Sequence, residues 1–397
     1  MSLMGGSPGR RPEAVRALPG GAPDPVGVFG RDDTILWAWE QLSAGTSLLL
    51  NEPRRFGKTA LLLRMCHYPS PEAHAVILSF QGVATRAEMA GRALGGIAGH
   101  RALGDRVKGK AASFLNRVSG VGPITLHPSL AADPIDSLER AVAEIDATLG
   151  DDELLVLAWD EIPDMVESIA AQEGKPAAVQ ALAAMRRLRE RSERVRWILT
   201  GSVGFHHVLP LVGADSTVLN ELQNLPLGPL DEAWSRWLAE SLLLGITDLP
   251  RPEAVDALTS VSGGIPYLLH LVAARLRDQR RSPINAESIE DAFEGCVEDL
   301  DESHGVTHFL TRIGKYYGAE GGAARFVLDT LLQGGMTRED LSSMASEEGL
   351  AAGEGEEFRS LLELLRTDHY LTRSPEPLPV YAWRYPVLAR IWQQRRR

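Results

Sequence analysis

Residues 47–63 read SLLLNEPRRFGKTALLL: an apolar run, a short polar loop closing on Gly57-Lys58-Thr59, then a segment with helical apolar periodicity. This is how a strand, a phosphate-binding loop and a helix are written. Each part has a chemical job. A small residue lets backbone N–H groups approach phosphate oxygens, a lysine bridges the outer phosphates, and a hydroxyl completes Mg²⁺ coordination. The helix that follows aims its positive N-terminus at the same anion. Pro53, Arg54, Arg55, Phe56, Gly57, Lys58, Thr59 and Ala60 are therefore the candidate nucleotide contacts. One element of the pattern G-x-x-x-x-G-K-[ST] is missing, because Glu52 stands where its first glycine belongs. A carboxylate there repels phosphate; pairing with Arg54 or Arg55 would offset it. The departure weighs on hydrolysis more than on binding.

A chain of 397 residues has room for two or three domains with real cores, and 44% hydrophobic with 24% charged residues is ordinary globular composition. The formal net charge of −12 argues against a uniformly basic nucleic-acid binder, so any DNA contact must be local. Cys66 and Cys296 stand far apart with no ligand-spaced neighbours, which gives a disulfide framework or a zinc site no support and fits a reducing, cytoplasmic setting. No apolar run approaches the roughly 20 residues that span a bilayer, so no membrane association is expected. Residues 1–25 read as a disordered leader.

From residue 26 the pattern alternates. A helix opens at Asp32-Asp33, the segment 47–63 follows, and strands are expected at 75–80, 154–159 and 195–199 with helices between them. The glycines and prolines of 101–133 suggest a surface insertion with a small hairpin. Alternating short strands and longer helices predict an α/β fold, a parallel sheet covered by helices, over 26–230. Strand signals fade after Asp231, and helices at 232–244, 252–261, 267–280 and 286–296 define a helical lid subdomain, 231–300. Residues 301–397 carry three helices and a β-ribbon at 370–384, the outline of a winged-helix domain.

The strand LLVLAWD delivers Asp160-Glu161 to the carboxyl edge of the sheet, where open α/β sheets bind ligands. Asp160 is suited to hold Mg²⁺ with Thr59, and Glu161 to orient and deprotonate an attacking water. The plainer alternative is that the pair ends a strand and caps the next segment. WILTGSVG brings Thr200 and Ser202 to the same edge, as γ-phosphate sensors or as turn residues. Lys58, Glu161, Thr200 and Ser202 make up the candidate catalytic set.

These residues resemble the archaeal and bacterial P-loop ATPases of the STAND and Orc/Cdc6-related branch of the AAA+ group. The resemblance runs from about residue 25 to the C-terminus and rests on VFGRDD, the loop 52–59, Trp159-Asp160-Glu161, the run 200–204 and Gly263-Gly264-Ile265-Pro266-Tyr267. It implies that Phe29, Gly30 and Arg31 pack against the base, and that Gly264 and Pro266 help the lid close the pocket. Arg186, Arg187, Arg189, Arg191 and Arg194 form a basic helix end, either a solvated face or a reach toward a neighbouring subunit.

The expected activity is Mg²⁺-dependent ATP binding with slow hydrolysis, used as a conformational switch that repositions the winged helix. Two alternatives stand beside it: a DNA-binding ATPase or adaptor of the initiator or transposition type, and an ATP-binding scaffold without turnover. The third winged-helix segment carries Glu354, Glu356, Glu357 and Glu363, which favours a protein partner or self-association. The tail, with Arg390, Arg395, Arg396 and Arg397 among aromatics, keeps DNA open, or docks as an amphipathic helix.

Overall fold

The computed structural model describes residues 11–21, 24–101, 103–118, 133–201, 203–299, 307–350, 355–375 and 378–396. They fall into two compact units, one of residues 24–51 with 58–227, the other of 11–21, 52–57 and 228–396.

The first unit is a parallel five-stranded sheet. Helix α1 (Asp32–Ser43) leads into β1 (Ser47–Leu50), and α2 (Lys58–His67) into β2 (Ala73–Ser79). Helices α3 (Arg86–Gly99), α4 (Asp105–Val118) and α5 (Pro134–Asp146) precede β3 (Leu154–Asp160); α6 (Ile162–Glu173) and α7 (Lys175–Arg191) precede β4 (Val195–Thr200). Helix α8 (Phe205–Val212) and the short β5 (Leu222–Asn224) complete it. The strand order is β2-β3-β4-β1-β5, with every pairing parallel.

Successive strand residues point to opposite faces, and both faces are buried. Val156, Ala158 and Ile198 pack with Ile35, Trp39 and Leu42 of α1 and Leu61, Leu62 and Met65 of α2. Leu155, Leu157, Trp159, Trp197 and Leu199 face the opposite core, filled from α3 to α8. That is why these strands read as continuous apolar runs in the sequence.

The insertion expected at 101–133 is instead helical over 105–118, while residues 119–132 lie outside the described residues. Val107, Ala111 and Phe114 are buried in the α3–α8 core. A glycine inside a helix costs about 1 kcal/mol. Burying one Val or Phe side chain returns roughly 1.5–3 kcal/mol. The apolar stripe therefore outweighs Gly109.

In the second unit, α9 (Glu232–Leu244), α10 (Pro252–Ser262), α11 (Pro266–Gln279) and α12 (Ala286–Glu298) form a helical cluster. Residues 11–21, expected within a disordered leader, are instead held on it: Val15 N–H donates to the Ser241 carbonyl at 2.9 Å, and the Arg277 guanidinium donates to the Ala17 carbonyl at 3.0 Å. Leu18 N–H donates to His270 Nδ1 at 3.3 Å.

The C-terminal part contains α13 (Thr307–Tyr316), α14 (Gly321–Thr330), β6 (Met336–Thr337), α15 (Arg338–Glu347), α16 (Gly355–Thr367), β7 (Leu371–Arg373), β8 (Val380–Trp383) and α17 (Pro386–Arg395). From α14 on, the order is helix, strand, helix, helix, strand, strand. The antiparallel sheet β6-β8-β7 adds a two-residue strand to the expected ribbon. Val387, Leu388, Ile391 and Trp392 of α17 are buried, and Trp392 Nε1 donates to Asp329 at 2.7 Å.

Candidate functional site

Parallel register aligns the carboxyl ends of the strands. Leu50 of β1 lies opposite Thr200 of β4, and Ser79 of β2 opposite Asp160 of β3. Lys58 opens α2 as its first residue, is 7% exposed, and its charge acts on Asp160. Thr59 is exposed, Ala60 partly buried, and Thr59 Oγ1 lies 3.5 Å from Asp160 Oδ2, a long contact between two hard oxygen donors.

Asp160 accepts from the Glu161 backbone N–H at 3.0 Å. Burial pushes its carboxyl above the ordinary carboxylate range, the Glu161 charge adds to the rise, and Lys58 opposes it. Glu161 has the left-handed backbone φ 60, ψ 39 at the residue before α6. For a non-glycine residue that conformation is uncommon and concentrates at functional positions. Periodicity gave no sign of it. Thr200 is 0% exposed, and its Oγ1 has no hydrogen-bond partner among the described residues. Buried hydroxyls are rarely left without a partner, which makes this one, at a strand's carboxyl end, a candidate ligand contact. Ser202 lies outside the described residues.

Phe29 and Gly30 are partly buried, and Arg31 is buried just before α1. The arginines at the end of α7 are engaged within their own unit. Arg186 pairs with Glu190, Arg187 with Glu139 and Arg194 with Asp151. Arg189 is buried and donates to backbone carbonyls of Met185 and Val218, and burial pushes its pKa down to about 10.

Residues 52–57 belong to the second unit. Gly57 has φ +96, a conformation that requires glycine. Glu52 is 7% exposed, and its Oε2 lies 3.6 Å from Nδ1 of His369, the residue that precedes Tyr370 and β7. The ring of Phe56, 2% exposed, lies 4.9 Å from the ring of Tyr385. The Arg55 guanidinium sits 4.7 Å over the Tyr267 ring of α11. Pro53, Arg54 and Ile265 line the same small cleft with Leu268 and Leu388. His369, Tyr385 and Tyr267 carry no local signal that ties them to residues 52–56, so sequence reading missed them. Gly264 has φ +73, and a Cβ there would lie 2.6 Å from the Leu230 carbonyl oxygen. Pro266 takes the first position of α11, where its missing N–H costs nothing.

A phosphate-loop helix, an Asp-Glu pair and a threonine at the carboxyl ends of a β2-β3-β4-β1-β5 parallel sheet define the fold of a P-loop ATPase. Among solved structures, the chain is similar to the Walker-type ATPase PABY2304 of Pyrococcus abyssi, with a TM-score of 0.60, 16% identity, and coverage of 92% of this chain and 96% of that one. It is also similar to the ORC2 protein of Aeropyrum pernix in its ADPNP–ADP complexes, with a TM-score of 0.47 and 13% identity over 98% of this chain and 97% of that one. Cdc6p of Pyrobaculum aerophilum gives a TM-score of 0.41 and 12% identity, covering 96% and 98% respectively. At such identities the likeness is one of fold. No protein-family model matches the chain, and no curated protein matches it in sequence.

Proposed function

We propose that this protein binds ATP with Mg²⁺, hydrolyses it slowly, and uses the nucleotide state as a switch acting on its C-terminal winged helix. The donor set suits the cofactors: Thr59 and Asp160 offer hard oxygens for Mg²⁺, and the unpartnered hydroxyl of Thr200 suits a terminal phosphate oxygen. Bound Mg²⁺ would supply charge neutralisation at the outer phosphates. Lys58 holds the β- and γ-phosphates, with Gly57 and the first N–H groups of α2 around them. Glu161 orients the attacking water and takes its proton on a carboxylate oxygen, and Thr200, with Ser202, responds to the γ-phosphate. Phe29, Gly30 and Arg31 face the base, and Gly264 and Pro266 shape the lid.

The observation that carries the switch is the packing of residues 52–56 against His369 and Tyr385. Anything that moves this segment to admit phosphate also disturbs the C-terminal residues that hold it. The partner is a protein or a second copy of the chain rather than DNA. Arg390 pairs with Glu290 and Arg396 with Asp329, so these two cations already have acidic partners within the chain. A cytoplasmic setting fits the two free thiols, both with pKa raised by burial. Among the described residues no helix is long and apolar enough to cross a membrane.

Hydrogen exchange of residues 355–395 with ATP, with ADP and without nucleotide tests the reading. Protection that differs between ATP and ADP is expected; binding of both nucleotides with identical exchange would leave only a scaffold.

A further inference from the structure

Residues 11–21 form no helix or strand, and along 13–21 only Ala17 is buried, so the segment is held mainly by its main chain. Val15 N–H donates to the Ser241 carbonyl at 2.9 Å, the Ala17 carbonyl accepts from Arg277 at 3.0 Å, and Leu18 N–H donates to His270 Nδ1 at 3.3 Å. The seat on α9 and α11 is shaped for it. Gly245, just past α9, has φ −74, which any residue adopts, so its backbone does not call for glycine. A Cβ there would collide with the Val15 carbonyl oxygen, and the missing side chain is what admits the segment.

The segment also reaches Arg55. Gly20 turns at φ +76, a conformation that favours glycine, and a Cβ there would lie 2.9 Å from Arg55 Nη1. The same guanidinium sits 4.7 Å over the Tyr267 ring of α11. Arg55 itself has φ +75, a left-handed conformation uncommon outside glycine and concentrated at functional and switching positions. A candidate phosphate contact is thus engaged with an aromatic face and flanked by the turn at Gly20. Segments with few buried apolar contacts and no secondary structure are the ones that open locally most readily.

We propose that residues 13–20 are a releasable strap that restrains the nucleotide site: seated on α9 and α11, the strap keeps the Arg55 guanidinium on Tyr267, and its release frees Arg55 for the phosphates. The inference rests on the proposed ATP site and adds a regulation of it. Because the seated strap and a phosphate compete for one guanidinium, ATP favours the released form, and whatever lifts the strap raises ATP affinity.

The test uses the full chain as wild type, Gly245→Ala, Arg277→Met, and Gly245→Ala combined with Arg55→Met. Hydrogen exchange follows residues 11–21, with α10 and α12 as the check that the helical cluster stays folded, and calorimetry measures Mg²⁺–ATP affinity. In both single variants the Val15 and Leu18 amides should exchange roughly tenfold faster, the effect of a weakened hydrogen bond. ATP affinity should rise roughly fivefold or more, the low end of ordinary coupling between sites, and the gain should vanish when Arg55 is also replaced. Faster exchange with unchanged or weaker ATP binding, unchanged exchange in both variants, or a gain that survives Arg55→Met overturns the proposal. Absence of ATP binding in wild type and both single variants refutes the underlying site instead, and the exchange of residues 11–21 tells the two failures apart.

Discussion

Glu52 Oε2 lies 3.6 Å from His369 Nδ1, and the carboxylate stands where a phosphate loop ordinarily has its first glycine. The sequence suggests an arginine of the same loop as a partner; the structure also sets a histidine from far along the chain beside the carboxylate. A negative charge that would repel phosphate is thereby given a C-terminal counterpart, charged whenever the imidazole is protonated.

Glu52→Gly removes the repulsion and frees the loop from His369. Affinity for Mg²⁺–ATP should rise roughly tenfold, about 1.4 kcal/mol. Equilibrium binding with a fluorescent ATP analogue measures it, and unchanged or weaker binding would count against the carboxylate as a brake.

Glu161→Gln should bind ATP as wild type does and lose about a hundredfold or more in turnover, the usual contribution of a general base. Because the Asp160 carboxyl is raised by burial and by Glu161, protons compete with the metal there. The Mg²⁺ requirement of steady-state hydrolysis should increase as pH falls through that raised value. Turnover equal in wild type and variant would show that the protein binds without hydrolysing.

His270 is pushed by burial down to about 4 and accepts the Leu18 N–H through Nδ1, as a neutral imidazole does. In the unfolded chain it takes a proton near pH 6.5. Between these values the unfolded state binds more protons, so stability rises with pH and is lost as pH falls, by up to about 1.4 kcal/mol per pH unit. Urea midpoints at pH 5 and pH 7 should differ less in His270→Gln than in wild type; equal differences would remove His270 as a cause.

Duplex DNA should bind weakly, with no steep salt dependence, because Arg390 and Arg396 are paired with Glu290 and Asp329. A fluorescence-anisotropy titration at low and moderate salt checks this. Strong binding that disappears when residues 395–397 are removed would restore the DNA-adaptor alternative.

Elements with long apolar blocks or strong caps were legible from local spacing: β3, β4, α9 and α11 fall where periodicity and proline placement put them. The two short strands β5 and β6 were not, since two or three residues carry no period to read. Helix α4 was hidden by Gly109, which weighs on local propensity, while the packing of Phe114 that stabilises the helix depends on distant partners. In the candidate site, residue types at fixed spacing pointed to Lys58, Thr59 and Asp160, of which the structure brings Thr59 Oγ1 to 3.5 Å from Asp160. The left-handed backbone of Glu161 and the unpartnered hydroxyl of Thr200 have no such spelling.

By itself, the sequence determined the alternation of strand and helix and the chemistry of residues 52–59, because both depend on neighbours within a few positions. Only the tertiary structure decided that β4 lies between β1 and β3, so that Thr200 joins the edge bearing Lys58 and Asp160. It alone decided that Glu52 meets His369, and that Gly20 lies against Arg55. These are contacts between distant positions, chosen by which buried faces and charges can be satisfied together, and no local pattern encodes that choice.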